Sequence, residues 1–204
     1  IKASPHTANR LFVGVRISGG EGKIYRIDDA HTNSPTVTEI TGTYSGSHGG
    51  WISSIDVGAS DSQLLATFSN YGINSVYETT DGGTNWTNKN GNLPDMPVRW
   101  GLYNPNNRAE VLLATEVGVW STDNLSAASP EWAPTNTGLA NVRCDMLTYR
   151  SSDGMVAVAT FGRGVFTSNI FSTISSADFS TRQTVAYVGV PVEFTNNSLN
   201  GTTW

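Results

Sequence analysis

The sequence predicts an all-β protein in which blades of four antiparallel strands form part of a β-propeller. The main observation is an internal repeat: a polar turn, followed by an apolar strand that ends in two small residues, occurs four times. The intervals between these small pairs are 53, 48 and 45 residues, and a period of ~40 to 50 residues is typical of propeller blades. The pairs are Val13-Gly14, Ala66-Thr67, Ala114-Thr115 and Ala159-Thr160.

The strands around each pair predict that a blade has four strands. A second strand follows every pair, in the stretches GKIYRID, SVYETTD, GVWSTD and GVFTSN. Three units add a third strand (TVTEITG, WTNKNG and EWAPTN), and a further strand precedes the next turn (WISSIDV, VRWGLY and VRCDMLTY). The stretch EVLLATE carries apolar side chains on both faces, which indicates a strand covered on both sides. Because the last unit stops after its second strand, residues 1–171 are expected to form about three and a half blades.

Composition favours strands and turns and argues against two functional classes. Charged residues make up 14% of the chain, against ~25% in average proteins. The net charge is −5 and no basic run occurs, so nucleic acid is not an expected partner, because binding it needs clustered Lys and Arg. No apolar run approaches the ~18 residues of a membrane span, so no span is expected in this segment.

Metal and cofactor sites are not predicted. The single cysteine, Cys144, excludes an intrachain disulfide, and His6, His31 and His48 lack metal-ligand spacing. The loops at residues 29–34 and 46–50 carry oxygen ligands, but their spacing matches no calcium loop.

The stretch TTDGGTNW, residues 79–86, poses the main question about a functional residue. Asp81 is either a catalytic acid in a sugar-binding pocket or the pin of a tight turn. The stretch falls where a hairpin must turn, and Asp-Gly-Gly is strong turn chemistry. We therefore expect Asp81 to accept backbone N–H groups, Gly82 and Gly83 to take positive φ, and Trp86 to pack between blades, with Thr79 opening the turn.

A degenerate second copy of this stretch supports the structural interpretation. It contains Ser121, Asp123 and Trp132. The Asp-to-Trp separation is 9 residues here and 5 residues in the first copy. A turn tolerates such an insertion, whereas a catalytic carboxylate would not. No catalytic residue is predicted.

Two stretches resemble a known propeller family. TTDGGTNW resembles the Asp box of the BNR, sialidase-like and sortilin-like propellers. The stretch ATFGRGVF, with Gly162, Arg163 and Gly164, resembles the hairpin that commonly marks the last blade of that family. In such rings the outermost strand of the last blade often comes from the other end of the chain. The resemblance therefore implies further blades upstream of Ile1.

The final residues resemble a different module. Residues 172–176, STISS, read as a linker, and residues 177–204 resemble the opening of an immunoglobulin-like PKD domain through ADFS and GVPVEFTNNS. Such a sandwich needs ~100 residues. We therefore expect the 204 residues to be an excerpt of a longer polypeptide.

A propeller followed by a PKD domain resembles the secreted surface proteins of Gram-negative bacteria that are exported by type IX secretion. This resemblance implies a non-catalytic binding or adhesion module. Its partners would be a glycan or protein ligand, other domains of the same polypeptide and the secretion machinery. The alternative is part of a propeller glycoside hydrolase of sialidase or xyloglucanase type.

Two groups of residues bear on that choice. Arg99, Arg143 and Arg163 recur at blade-related positions, as an arginine triad would require, but we expect them to be solvated or to bridge blades. Trp51 and Trp100 are candidates for stacking on sugar rings, with a core position as the alternative.

Overall fold

The computed structural model describes residues 1–17, 21–46, 49–139, 141–172, 179–182, 185 and 187–196. In these residues all regular secondary structure is β, and four small antiparallel sheets are arranged as a propeller, which confirms the predicted fold class. By internal contacts the chain divides into two units. The first comprises Ile1–Thr148 and Ala157–Phe166, and the second comprises Tyr149–Val156 and Thr167–Trp204.

Each blade is a sheet whose strands follow one another in sequence order. The first contains β1 (Lys2–Ala3), β2 (Leu11–Val15), β3 (Lys23–Asp28) and β4 (Thr36–Glu39). The second contains β6 (Ile52–Val57), β7 (Leu64–Phe68), β8 (Val76–Thr79) and β9 (Asn85–Asn88), with the short β5 (Thr43–Tyr44) parallel to β9 at its edge. The third contains β10 (Val98–Tyr103), β11 (Val111–Thr115), β12 (Gly118–Thr122) and β13 (Ala133–Pro134). The fourth contains β14 (Cys144–Arg150), β15 (Met155–Thr160) and β16 (Gly164–Ser168).

Strand β7 shows why the strands after the polar turns are apolar on both faces. All five of its residues are buried. Leu64, Ala66 and Phe68 lie in a core cluster shared with the first blade, whereas Leu65 lies in a cluster shared with the third. Because successive side chains of a strand point to opposite faces, one strand feeds two hydrophobic cores.

The innermost strands of the second and third blades, β6 and β10, belong to different sheets and are joined by side chains. The Ser53 hydroxyl donates to the Val98 carbonyl oxygen at 2.6 Å. The backbone N–H of Gly101 donates to Ser54 Oγ at 2.9 Å, and that of Tyr103 donates to an Asp56 carboxylate oxygen at 2.9 Å. These bonds satisfy backbone groups of β10 that have no strand partner on that side.

The second unit contains a two-stranded antiparallel sheet of β17 (Phe179–Ser180) and β18 (Thr195–Asn196). Between them, the Val190 N–H donates to the Tyr187 carbonyl oxygen at 3.1 Å and closes a turn. The PKD assignment stays a prediction. Residues 173–178 of the predicted linker and domain start, and the end of the chain with Trp204, lie outside the described residues.

No helix in the described part of the chain is long and apolar enough to cross a membrane.

Candidate functional site

The strand pairing gives each blade two ends with different side chains. Val98, at the start of β10, pairs with Thr115, which pairs with Gly118 across the β11–β12 turn. The start of the inner strand and this turn therefore share one end, which we call the strand-start end. The turn between β8 and β9 follows Thr79, which pairs with Leu64 at the beginning of β7. That turn lies at the opposite end, which we call the box end.

At the box end, Asp81 is committed to its own turn. One carboxylate oxygen accepts the Asn85 backbone N–H at 2.9 Å and the Thr79 hydroxyl at 2.8 Å. The other accepts the Asn85 side-chain amide at 2.8 Å. These bonds to the backbone and side chain of Asn85 and to Thr79 lower the pKa of Asp81 to about 2. Gly82 and Gly83 have φ of 74° and 92°, and a Cβ on Gly83 would lie 2.4 Å from the Ile40 carbonyl oxygen.

Trp86 and Trp132 each bind the preceding blade. Trp86 is 1% exposed, and its indole Nε1–H donates to the Ile40 carbonyl oxygen at 3.0 Å. Trp132 is 2% exposed and donates in the same way to the Lys89 carbonyl oxygen at 2.9 Å. Ile40 directly follows β4 and Lys89 directly follows β9. The two tryptophans therefore make equivalent bonds to the ends of the outer strands of the first and second blades.

The degenerate copy keeps this tryptophan and lacks the carboxylate bonds. The Asp123 side chain is exposed and makes no hydrogen bond within the part of the chain that the structure describes. The Thr122 hydroxyl accepts the Asn124 N–H at 3.3 Å instead. Ser121 lies in β12, where it pairs with Ala133 of β13. The longer turn is closed without the aspartate.

The strand-start end of the first two blades presents aromatic side chains to solvent. Trp51 is 46% exposed and Tyr71 is 63% exposed. The Arg16 guanidinium carbon lies 3.8 Å from the centroid of the Trp51 ring. The backbone of Trp51 is fixed from both sides, because its N–H donates to Asn70 Oδ1 at 2.6 Å and its carbonyl oxygen accepts the Ser69 N–H at 3.0 Å. These bonds join the segment that carries Trp51 to the segment that carries Tyr71, whose next N–H, that of Gly72, donates to Asp95 Oδ1 at 2.7 Å.

The same end of the third and fourth blades is a network of ion pairs. Arg99 binds Glu116 through two nitrogens, at 3.0 and 2.5 Å. Arg143 Nε donates to Asp145 at 2.7 Å, and Arg99 Nε lies 3.8 Å from the same carboxylate. The Arg143 guanidinium also lies 5.0 Å from the ring of Phe161, which is exposed. Both arginines therefore bind carboxylates; Arg99 reaches from the third blade to Asp145 of the fourth, whereas the contacts of Arg143 lie within the fourth blade.

The remaining predicted residues lie in the same region and play smaller parts. Trp100 is half-buried in β10, opposite Ala114. Gly162 and Gly164, with φ of 79° and 81°, flank the exposed Arg163 in the β15–β16 turn. The Thr160 hydroxyl closes this turn by donating to the Gly164 carbonyl oxygen at 2.7 Å.

A third group of polar side chains, largely buried, lies on the box-end side, where β8 and β10 end and β7 begins. Glu78 accepts the Tyr103 hydroxyl at 3.0 Å and the Gln63 amide at 2.9 Å, and Lys89 Nζ lies 3.8 Å from it. Burial, followed by the charge of Glu78, raises the pKa of Tyr103 well above its usual range. Partners on every side indicate a structural cluster.

Within the described residues, no group of three His, Cys, Asp or Glu side chains is placed to hold a metal ion. His48 and part of the loop at residues 46–50 lie outside those residues. In the other loop, the Asp29 carbonyl oxygen accepts both the N–H and the hydroxyl of Thr32, at 3.0 and 2.9 Å, which closes a turn. The arrangement offers aromatic surface and guanidinium groups at the strand-start end, where Glu116 and Asp145 are bound by arginine and Asp95 accepts the Gly72 N–H at 2.7 Å.

Sequence reasoning missed Arg16, Tyr71 and Phe161. They lie one to four residues after the small pairs of their units, where the apolar strand ends and the turn begins. A cationic or aromatic side chain in that stretch was a usable signal. The contacts between blades, such as Arg16 against Trp51, were not visible in a periodicity.

The fold is also found in a solved structure. The crystal structure of an ancestral GH74 enzyme is similar to this chain with a TM-score of 0.57 and 13% sequence identity. The match covers 83% of this chain and 22% of the other, so this chain spans about a fifth of the length of that enzyme. Neither a family model nor a curated protein matches the sequence. At 13% identity the similarity supports a shared propeller fold, and the activity of that enzyme is not inferred for this chain.

Proposed function

We propose that this propeller segment is a non-catalytic glycan-binding module whose ligand lies on the strand-start end of the blades. The observation that carries the proposal is that the exposed side chains Trp51 and Tyr71 lie on two segments joined by the hydrogen bond from the Trp51 N–H to Asn70. Single exposed aromatic side chains are common, whereas exposed ones on segments bonded to each other are typical of binding surfaces. Loops on a rigid scaffold are also where binding residues concentrate.

The box end does not compete for this role. The carboxylate of Asp81 accepts hydrogen bonds within its own turn, and Trp86 is buried against the first blade. Neither side chain offers a ligand a free polar group or an open ring. In this proposal the box end therefore maintains the fold, and the strand-start end binds the ligand.

The test is a glycan array probed with the 204-residue chain, followed by calorimetric titration of the best ligand. Trp51→Ala or Tyr71→Ala should weaken binding by about 10-fold or more, because an aromatic contact of ~1.5 kcal/mol corresponds to that factor. Tyr187→Ala is the matched control, since Tyr187 is an exposed tyrosine of the second unit, at 71% against 63% for Tyr71. Retention of full affinity by both strand-start variants, or the absence of any glycan ligand for a folded chain, would refute the proposal.

We further propose that the module belongs to a secreted or cell-surface protein of a Gram-negative bacterium, exported by type IX secretion. The support is the resemblance of residues 177–204 to the opening of a PKD domain and of TTDGGTNW to the Asp box. Other domains of the same polypeptide and the secretion machinery would then be its partners. Antibody labelling of intact cells would detect the protein outside, and a purely intracellular signal would contradict the assignment.

A glycoside hydrolase segment is the second candidate, and the likeness to a GH74 enzyme is the observation that favours it. Against it, Glu116 and Asp145 both bind Arg99, whereas an inverting glycosidase needs an acid and a base on either side of the bond. Release of reducing sugar from a polysaccharide, or of methylumbelliferone from a sialoside, by the purified chain would establish this alternative.

A further inference from the structure

The arginines of the strand-start end fall into two classes. Arg99 and Arg143 are neutralised by Glu116 and Asp145. Arg16 is exposed and makes neither an ion pair nor a hydrogen bond in the described part of the chain, and its guanidinium lies against the Trp51 ring. Arg16 is therefore a cation whose hydrogen-bonding capacity is unused.

We propose that Arg16 makes the Trp51 platform selective for sugars that carry an anionic group, so that the ligand is an acidic glycan. This inference rests on the proposed function and names the ligand class of the same surface. The residues involved are Arg16, Trp51 and Tyr71, on the end of β2 and on the segments before β6 and after β7.

The geometry gives Arg16 the means to select an anion. A guanidinium carries five N–H donors in a planar fork that matches a carboxylate or a sulfate. Contact of its carbon with the Trp51 ring at 3.8 Å occupies a face of the group, so the donors at its edges remain available for a ligand. The ring contact also restricts the side chain, which lowers the entropy lost when it binds.

The charge of the whole chain makes the local arrangement decisive. With 12 Lys and Arg against 17 Asp and Glu, the net charge is −5. Such a chain does not attract anions through its overall field. The Asp95 carboxylate, which accepts the Gly72 N–H beside Tyr71 at 2.7 Å, adds a negative charge to this platform. A preference for acidic sugars must therefore come from a local cation, and within the Trp51 platform that cation is Arg16.

The neighbouring aromatic side chains supply the rest of the subsite. Trp51 is still 46% exposed with Arg16 against its ring, and Tyr71 is 63% exposed next to Asn70, which holds the Trp51 backbone. A pyranose ring can therefore contact apolar ring surface while its charged substituent reaches the guanidinium. The alternation of apolar surface with one placed charge is typical of ligand sites.

The experiment compares three oligosaccharides of equal length by calorimetric titration: an oligogalacturonate, a sulfated oligosaccharide and a neutral cello-oligosaccharide. The chain should bind at least one acidic ligand about 10-fold more tightly than the neutral one, and added salt should reduce this difference. Comparison of the affinities for the two acidic ligands identifies whether the site prefers a carboxylate or a sulfate. Arg16→Gln should lower acidic binding to the neutral level and leave neutral binding unchanged.

Arg163→Gln is the matched control, because it removes the same charge from an exposed arginine of another turn at the same end. It should retain the preference for acidic ligands. Equal affinity of the unmodified chain for acidic and neutral ligands would overturn this inference and leave the proposed glycan binding intact. An equal loss in Arg163→Gln and Arg16→Gln would overturn it as well, because net charge would then explain the preference. Absence of binding to all three classes and to the array would refute both proposals.

Discussion

Replacing Trp86 by Phe tests the bond that joins the second blade to the first. The change keeps an aromatic ring in the cluster and removes the Nε1–H that donates to the Ile40 carbonyl oxygen at 3.0 Å. Ile40 is buried, and an acceptor left unsatisfied in a buried site costs ~1–3 kcal/mol. The smaller ring leaves a void that adds ~1 kcal/mol. We expect the free energy of unfolding to fall by about 2 to 4 kcal/mol.

Urea denaturation of the full chain measures this loss, provided that the slope m is the same for both proteins. Trp120→Phe is the control, since its indole donates at 3.3 Å to the carbonyl oxygen of the exposed Val117 and water can replace that bond. The control should lose less than about 1 kcal/mol. If Trp86→Phe costs no more than Trp120→Phe, the reasoning about the indole bond is wrong.

The equivalent tryptophan extends this test to the next pair of blades. Trp132→Phe should cost a similar free energy, because its indole makes the same kind of bond to the Lys89 carbonyl oxygen. Trp86 and Trp132 lie in separate core clusters. The double variant should therefore be additive within ~0.5 kcal/mol.

Three further predictions follow from the titratable groups. The pKa of Asp81 is about 2 in the folded chain, below its ordinary value of 3.8. The ionised carboxylate therefore stabilises the fold above pH 3.8, and this stabilisation is lost as the pH falls through 2. The free energy of unfolding of Asp81→Asn should lack this pH dependence. Because Asp81 is exposed, solvent screening limits the effect to about 1 kcal/mol or less. Tyr103→Phe should lower the free energy of unfolding by ~1–2 kcal/mol in urea, since Glu78 loses a buried donor, and Tyr71→Phe should change it by less than ~0.5 kcal/mol. Burial raises the pKa of Cys144 to about 11. Iodoacetamide at pH 8 should therefore label this thiol in the urea-unfolded chain and not in the folded chain. Equal labelling rates in the two states would contradict the buried position of Cys144.

The sequence predicted the elements that repeat. The four stretches after the polar turns became β2, β7, β11 and β15, and the stretches around them became most of the remaining strands of the blades. The apolar character of EVLLATE on both faces matches the complete burial of β11. Such features are visible because burial between two blades imposes the same pattern on every unit.

Contacts between units were not predictable in the same way. The bond from Ser53 to Val98 spans 45 residues, and the Arg16 guanidinium meets a ring 35 positions further along the chain. Each depends on side-chain direction at one site and leaves no periodic trace. The short parallel strand β5 was missed as well, because two residues are too few to show alternation. That Asp123 accepts no hydrogen bond from any described residue could likewise be seen only in the structure.

The central claim is that the Asp81 turn and the tryptophans at the box end stabilise the fold, whereas the aromatic side chains at the strand-start end bind ligand. Its most direct test is to titrate the array-selected glycan into Trp51→Ala and Asp81→Asn under conditions where both are folded. We predict that Trp51→Ala keeps the unfolding midpoint of the unmodified chain and loses affinity, and that Asp81→Asn unfolds at lower urea and keeps full affinity. Loss of affinity in the folded Asp81→Asn chain, with Trp51→Ala binding normally, would contradict the account.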